Sequence, residues 1–320
     1  MNPPFCFHII YTAGTVRPLS FLLYSLLKWS NCTLRLVTNG CSSTEQRALQ
    51  KLCSDHLRLS YLALPTRKQL PHGEALNYLQ AQNQDDYFCF MDSDIYATGK
   101  FLSGFIAALT KCAGVFSGSP LRYPLEGLML PERRDYLAGP HSHTQQGLCL
   151  GMTFFAIYHN ATLTAFRRST GVGFERYQWQ ELPAHCQQKL LACDLNYQRY
   201  DTAKILNLLL QWQGTTLCNY PSTTLRHLEA FSRLTAYQNR PWWSQIKARG
   251  RDWLKGTPRQ GINQTIDEHL PYFHQLLLAL HTNQTLPRLP RSENSEIAER
   301  IQRTTTELVA LHTEAGAMTL

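Results

Sequence analysis

Charged side chains are scarce in this chain, at 17% of 320 residues, and acidic ones are scarcer than basic, with 23 Asp and Glu against 31 Lys and Arg. Hydrophobic residues make up 43%, so the composition excludes a charge-dominated disordered chain and describes an ordinary folded one. The formal charge of +8 suits nucleic acid, an anionic membrane or phosphorylated ligands, and charge alone does not choose among them. The basic residues do not gather on a recognised nucleic-acid motif, so nucleic acid is not an expected partner. There is no run of about 20 apolar residues, no internal repeat and no low-complexity tract, and no membrane-spanning helix is expected. The ten cysteines form no CxxC pair and no zinc-like spacing. Several fall inside apolar strand candidates such as Phe88-Cys89-Phe90, and they read as buried free thiols. Met1 to Pro4 has neither the basic start nor the apolar stretch of a secretory signal, so a cytoplasmic prokaryotic enzyme is the expectation. On that expectation the sequons at Asn31, Asn160, Asn263 and Asn283 are chance matches.

What is present is alternation. Phe5 to Tyr11 is apolar enough for a central parallel strand, and Arg17 to Trp29 repeats leucine at helical spacing through Leu19, Leu22, Leu23, Leu26 and Leu27. Leu34 to Val37 is the next strand. Ser43 with Gln46 three residues on has the form of a capping box, predicting a helix to about Cys53. Leu57 to Leu62 is a third strand, Gly73 to Gln80 a helix, and Phe88 to Met91 a strand followed by a helix over Phe101 to Leu109. This alternation predicts a doubly wound parallel α/β sheet. Residues 118 to 146 hold four prolines and little periodicity, which predicts a long irregular loop; Leu148 to Tyr158 is a long strand, and Thr202 to Gln213 an amphipathic helix. Beyond about Arg233 the pattern turns helical, in Pro241 to Leu254, Ile266 to His281 and Ser292 to His312. The expected organisation is one domain over 1–235 and a helical extension over 236–320.

The chemistry concentrates at Asp92-Ser93-Asp94, where a buried strand delivers two carboxylates to the sheet edge at which open α/β sheets bind ligands. Two neighbouring anions repel unless protons or a cation neutralise them. A divalent metal with a diphosphate on its far side is the economical remedy. An Asx turn at a strand end is the alternative and needs no metal.

Taken with the segment Tyr11-Thr12-Ala13-Gly14 after the first strand and with His72-Gly73-Glu74-Ala75-Leu76-Asn77, the Asp92-Ser93-Asp94 stretch is similar to the DxD motif of nucleotide-sugar-dependent glycosyltransferases of the GT-A fold. Tyr200-Asp201-Thr202 and His227 resemble that family's base-bearing acidic segment and its C-terminal metal-ligand histidine. The resemblance covers roughly residues 5 to 235. It implies a Rossmann-like mixed sheet flanked by helices, a nucleotide-diphosphate sugar as donor and a carbohydrate or lipid-linked acceptor. Two departures stand out: His227 is followed by Leu228-Glu229-Ala230-Phe231-Ser232 without the family's glycines, and Tyr200 precedes Asp201 where inverting relatives often carry Glu.

By this resemblance Asp94 binds Mn²⁺ or Mg²⁺ directly, Asp92 acts through water or the ribose, and His227 is a further ligand that favours manganese, since imidazole is softer than oxygen. Asp201 is the candidate base for an inverting transfer, with Glu175 and Glu181 as substitutes. Thr12, Ala13, Arg17, Asn39, Asn77 and Ser93 are candidate donor contacts, as are Arg67, Lys68 and His72 for the diphosphate. Plainer readings stay open for each: a helix N-cap for Asp201 and turn duties for Thr12 and Asn39. His141 and His143 in the proline-rich loop have an acceptor-side or lid role, or none beyond the loop. Trp242, Trp243, Ile246 and Trp253 among Arg240, Lys247, Arg249, Arg251 and Lys255 suit peripheral membrane contact through 240–255 at the inner face of a membrane, or a helix packed on the first domain. A sugar nucleotidyltransferase is the second enzyme reading, although Thr12 to Arg17 is not the Gly-rich phosphate loop it requires; a non-catalytic scaffold that kept the fold is the third.

Overall fold

The structure is a computed structural model, described for residues 5–118, 122–123, 135–139, 141–228, 262–292, 295–316 and 320, with backbone alone for 262–270. Its first half runs β1 (Cys6–Thr12), α1 (Val16–Leu19), α2 (Leu22–Trp29), β2 (Thr33–Asn39), α3 (Ser43–Ser54), β3 (Leu59–Ala63), α4 (His72–Ala81) and β4 (Tyr87–Asp92). Then come β5 (Ile95–Ala97), α5 (Leu102–Leu109), β6 (Gly114–Ser117), and the two-residue strands β7 (Arg122–Tyr123), β8 (Tyr136–Leu137) and β9 (His143–Thr144). The chain continues through β10 (Phe155–His159), α6 (Asn160–Thr170), β11 (Tyr177–Gln178), α7 (Ala184–Leu191), β12 (Arg199–Tyr200), α8 (Lys204–Trp212), β13 (Leu217–Tyr220) and β14 (Leu225–His227). Two long helices, α9 (Ile262–Thr282) and α10 (Ser295–Ala315), follow.

Seven strands form one sheet in the order β13-β6-β10-β4-β1-β2-β3. Strand β1 pairs in parallel with β2 and β4, and β13 with β6, while β10 runs antiparallel to both β4 and β6. The sheet is therefore mixed, as the resemblance implies, and the all-parallel expectation fails at β10. Alternation in the central strands builds two cores, because successive side chains point to opposite faces. Phe7, Ile9, Cys89 and Met91 join α2 on one face, and Phe88 and Phe90 join Leu76, Leu163 and Phe174 on the other. Leu276, Leu277, Leu280, Ile301, Leu308 and Leu311 extend the first of these cores, so α9 and α10 share buried surface with the sheet domain. The boundary expected at 235–236 and the helix expected over 241–254 lie outside the described residues.

Local chemistry explains the departures. The expected helix from Arg17 to Trp29 breaks after Leu19, where the Ser20 hydroxyl takes the Arg17 carbonyl at 3.2 Å in competition with the helical ladder. The capping box of α3 is Ser42 with Glu45, one residue earlier than Ser43 with Gln46: the Ser42 hydroxyl accepts from the Glu45 N–H and the Glu45 carboxylate from the Ser42 N–H. The long strand expected over Leu148 to Tyr158 shortens to β10, because Gly151 sits at φ +63 and Leu150 donates back to the Ser142 carbonyl. Cys112 and Cys218 depart from the free-thiol expectation. They form a disulfide with Cα atoms 6.1 Å apart, since β13 lies beside β6 and carries Cys218 to the turn leading into it. The other eight cysteines are free, and Cys32, Cys41, Cys89, Cys149 and Cys186 among them are buried. Among the described residues no helix is long and apolar enough to cross a membrane.

Candidate functional site

Strand β4 is buried through Phe88 to Met91 and surfaces at Asp92, so its end fixes the first carboxylate at the rim of the sheet. The chain turns through Ser93 and buried Asp94 into β5, which pairs antiparallel with β14 so that Ile95 faces His227. The Leu228 N–H donates to the Asp94 carbonyl at 3.0 Å and locks the two segments together. His227 Nε2 lies 3.2 Å from Asp94 Oδ1 and 3.5 Å from Asp92 Oδ2, and Phe154 stacks on its ring at 4.5 Å and 18°. One ligand atom from each of Asp92, Asp94 and His227 lies within 4.8 Å of the others. His72 Nε2, at the start of α4, stands 3.9 Å from Asp92 Oδ1.

Burial alone would lower the His227 pKa, but the Asp94 charge and hydrogen bonds to both carboxylates outweigh it and raise it to about 10. The imidazolium is thus a positive charge held between two anions. The set of two carboxylates and one imidazole fits Mg²⁺ or Mn²⁺, and such a cation requires the neutral ring, so it takes the place of that proton.

A second carboxylate region borders this edge. Gly73 in the first turn of α4 lies against the backbone of Phe174 and Glu175, where an added Cβ would come within 2.3 Å of the Phe174 carbonyl oxygen. Asn77, one turn on, donates to Glu175 and accepts the Phe174 N–H at 2.9 Å, and the Tyr177 hydroxyl donates to Glu175 at 2.9 Å. Asn77 therefore holds the Glu175 loop in place. The Phe174 carbonyl in turn accepts the Ala203 N–H at 3.0 Å, which ties that loop to the start of α8.

Asp201 Oδ1 accepts from Arg176 Nε at 2.8 Å and from the Thr202 N–H at 3.0 Å. Burial would raise its pKa, but Arg176, the Thr202 N–H and Lys204 together hold it below the usual carboxylate range. Lys204 is fully buried and its ammonium donates to the carbonyls of Gly139, His141 and Gly151.

The remaining candidates sit apart from the contacts of Asp92, Asp94 and His227. Asn39 is buried with its amide bonded both ways to the Leu70 backbone, at 2.9 and 2.7 Å. The Thr12 N–H and carbonyl both bond to the Thr15 hydroxyl, while Ala13 and Arg17 are exposed and Ser93 is half-buried. Glu181 caps its own short turn by accepting the Gln178 N–H at 2.8 Å. His141 is buried, and His143 lies against Ser142 and Asn219. Ser232 and the segment 240–255 lie outside the described residues.

Sequence reasoning missed Lys204, and a signal existed: it is the lone charge in the apolar run Ala203 to Leu210. It also missed Phe154, which no motif marks.

No family model and no curated protein matches the chain. Among solved structures it is similar to the mannosyltransferase PcManGT from Pyrobaculum calidifontis, which was solved with GDP-Man and Mn²⁺; identity is 11%, coverage 99% of this chain and 88% of that one, and the TM-score 0.43. The galactosyltransferase LgtC, solved with donor and acceptor sugar analogues, matches at 10% identity over 67% of this chain and 73% of its own, with a TM-score of 0.39. A protein described as a glucose-1-phosphate thymidylyltransferase from Bacillus anthracis matches at 10% identity over 72% and 93%, also at 0.39. Likeness at this level concerns fold outline and assigns no residue a role.

Proposed function

We propose that the protein is a metal-dependent glycosyltransferase of GT-A type that moves a sugar from a nucleotide-diphosphate donor to a carbohydrate or lipid-linked acceptor in cell-envelope glycan synthesis, with inversion. The observation that carries this reading is the convergence of Asp92, Asp94 and His227 at the end of β4. A bound Mn²⁺ or Mg²⁺ supplies Lewis-acid neutralisation of the charge that grows on the leaving diphosphate. Asp94 and His227 would hold it, Asp92 would share the site, and Ser93 lies between the two acids. Thr12, Ala13, Arg17, Asn39 and Asn77 remain proposed donor-side residues, the two asparagines through the loops they fix.

Asp201 is the proposed base; its Oδ1 accepts from Arg176 and Thr202, and Tyr136 bonds the same carboxylate. Its lowered pKa makes it a weak proton acceptor, and Glu175, bonded by Asn77 and Tyr177, is the competing carboxylate.

The turn after β1 argues against the nucleotidyltransferase reading. There the Gly14 N–H donates to the Glu45 carboxylate at 2.7 Å, an anion where that reading needs a phosphate. A cytoplasmic location, with peripheral membrane contact through 240–255, belongs to the same proposal.

The test is a thermal-shift panel of UDP, GDP, CMP and dTDP sugars with and without Mn²⁺, followed by donor hydrolysis. Stabilisation by one nucleotide that depends on Mn²⁺, with hydrolysis lost in Asp94→Ala, is the expected result and separates an enzyme from a scaffold. Asp201→Asn against Glu175→Gln assigns the base. No response to any donor overturns the proposal.

A further inference from the structure

The β5–β14 pair that carries His227 has a second set of contacts, on the side of the C-terminal helices. Tyr96 lies two residues after Asp94, and Arg226 immediately precedes His227; the two face each other in the β5–β14 register. Both reach the same carboxylate on α10. The Tyr96 hydroxyl donates to Glu307 Oε2 at 2.7 Å, and Arg226 Nε forms an ion pair with the same oxygen at 3.6 Å. Glu307 is 24% exposed, so the pair is only partly screened by water. A cavity of about 50 Å³, lined among others by His227, Leu228, Phe273 and Thr304, lies between the β5–β14 pair and α9 and α10. Tyr96, Leu225 and Leu228 share one core with Ile301 and Leu308, and the polar bridge adds to that packing beside the cavity.

We infer that Glu307 is a positioning residue for the metal centre: by holding Tyr96 and Arg226 it sets the placement of Asp94 and His227 and offsets the Arg226 charge beside the cation site. This rests on the metal reading above. Two effects act in the same direction. Without Glu307 the short β5–β14 pair loses one of its polar contacts with α10, Tyr96 keeping its bond to Thr304, and an unneutralised guanidinium stands next to the residue that must accept a dication. Groups that orient metal ligands typically contribute tenfold or more to affinity.

The experiment titrates Mn²⁺ into the full-length protein and follows the loss of the free-ion electron paramagnetic resonance signal. Glu307→Ala is expected to weaken Mn²⁺ binding about tenfold. Glu307→Gln keeps an acceptor for Tyr96 and loses the charge, so it falls between that variant and wild type. Glu314→Ala, which breaks the exposed Lys28–Glu314 pair on the same helix, leaves the affinity unchanged. Should Glu307→Ala fail to fold, Tyr96→Phe removes one hydroxyl from the strand-pair side and is expected to weaken binding by a smaller factor.

Equal affinity in wild type, Glu307→Gln and Tyr96→Phe overturns the inference, as does an equal drop in Glu314→Ala, which would make it a general loosening of α10. Wild type that binds no Mn²⁺ overturns the metal reading itself, a result distinguishable from either.

Discussion

Lys204→Met tests the electrostatics at the start of α8. Burial drives the Lys204 pKa from 10.5 down to about 8, against the upward pull of the Asp201 charge. At about 1.4 kcal/mol per pH unit, holding the ammonium in place costs roughly 3 kcal/mol relative to water. Methionine removes that cost and packs a similar stem. It also strands the carbonyls of Gly139, His141 and Gly151 and leaves Asp201 with less positive charge beside it, at about 1–3 kcal/mol for each buried group without its partner. The net expectation is a destabilisation of about 3 kcal/mol near pH 7, in line with breaking one side of a buried ionic contact.

The pH dependence is the sharper half of this prediction. Between pH 8 and 10.5 the unfolded chain keeps the Lys204 proton and the folded chain does not. The unfolded state then binds more protons, so wild-type stability rises with pH in that window by up to about 1.4 kcal/mol per unit. The variant lacks this contribution, and the other titrating groups cancel in the difference. Urea unfolding followed by tryptophan fluorescence should show a wild-type advantage about 2 kcal/mol larger at pH 9.5 than at pH 7. An advantage that stays constant or shrinks over that range refutes the reasoning, because it would mean the lysine is stabilised in its charged form by the fold.

Gly73→Ala drives a Cβ into the Phe174 carbonyl, and backbone cannot rotate away as a side chain can. A loss of about 1–3 kcal/mol is expected by thermal melting, with donor hydrolysis falling further than stability does because the Glu175 loop moves. Asn39→Ala removes both hydrogen bonds to the Leu70 backbone at a buried position, which costs about 2–3 kcal/mol. Tryptic cleavage at exposed Arg67 and Lys68 should accelerate with it, and unchanged cleavage would show that Asn39 does not hold that loop.

Much of the sheet was legible because its central strands are buried on both faces and so read as unbroken apolar runs; β4 is the clear case, with Phe88, Cys89, Phe90 and Met91 divided between two cores. The same cue misled at Leu148 to Tyr158, where one glycine in the left-handed region takes the first part of an apolar run out of the sheet. The direction of β10 was not legible, since an apolar strand has the same composition whichever way it runs. Asp92 and Asp94 were legible from what precedes them. The proximity of His227 was not a property of its neighbours: it follows from a three-residue pairing of β14 with β5, too short to leave a periodic pattern. Lys204 was passed over: lysine is seldom fully buried, and only its place as the one charge among Ala203 to Leu210 marked it.

The C-terminal helix shows where reading by segment stops. On α10, Arg300, Arg303 and Glu307 fall at spacings of three and four, which place them on one face of a helix and describe a solvated stripe when the helix is considered alone. In the structure Arg300 and Arg303 stay exposed, yet they line one cavity with Tyr96 and Arg226 of the β5–β14 pair, and Glu307 bridges to the last two. Nothing within residues 295–315 distinguishes that arrangement from an exposed face, because the groups that give Glu307 its role are Tyr96 and Arg226, one of them 211 residues away in the chain. A charged helix position takes its meaning from the surface opposite it, and here that surface carries Tyr96 and Arg226, the neighbours of Asp94 and His227 in the chain and the groups that Glu307 joins.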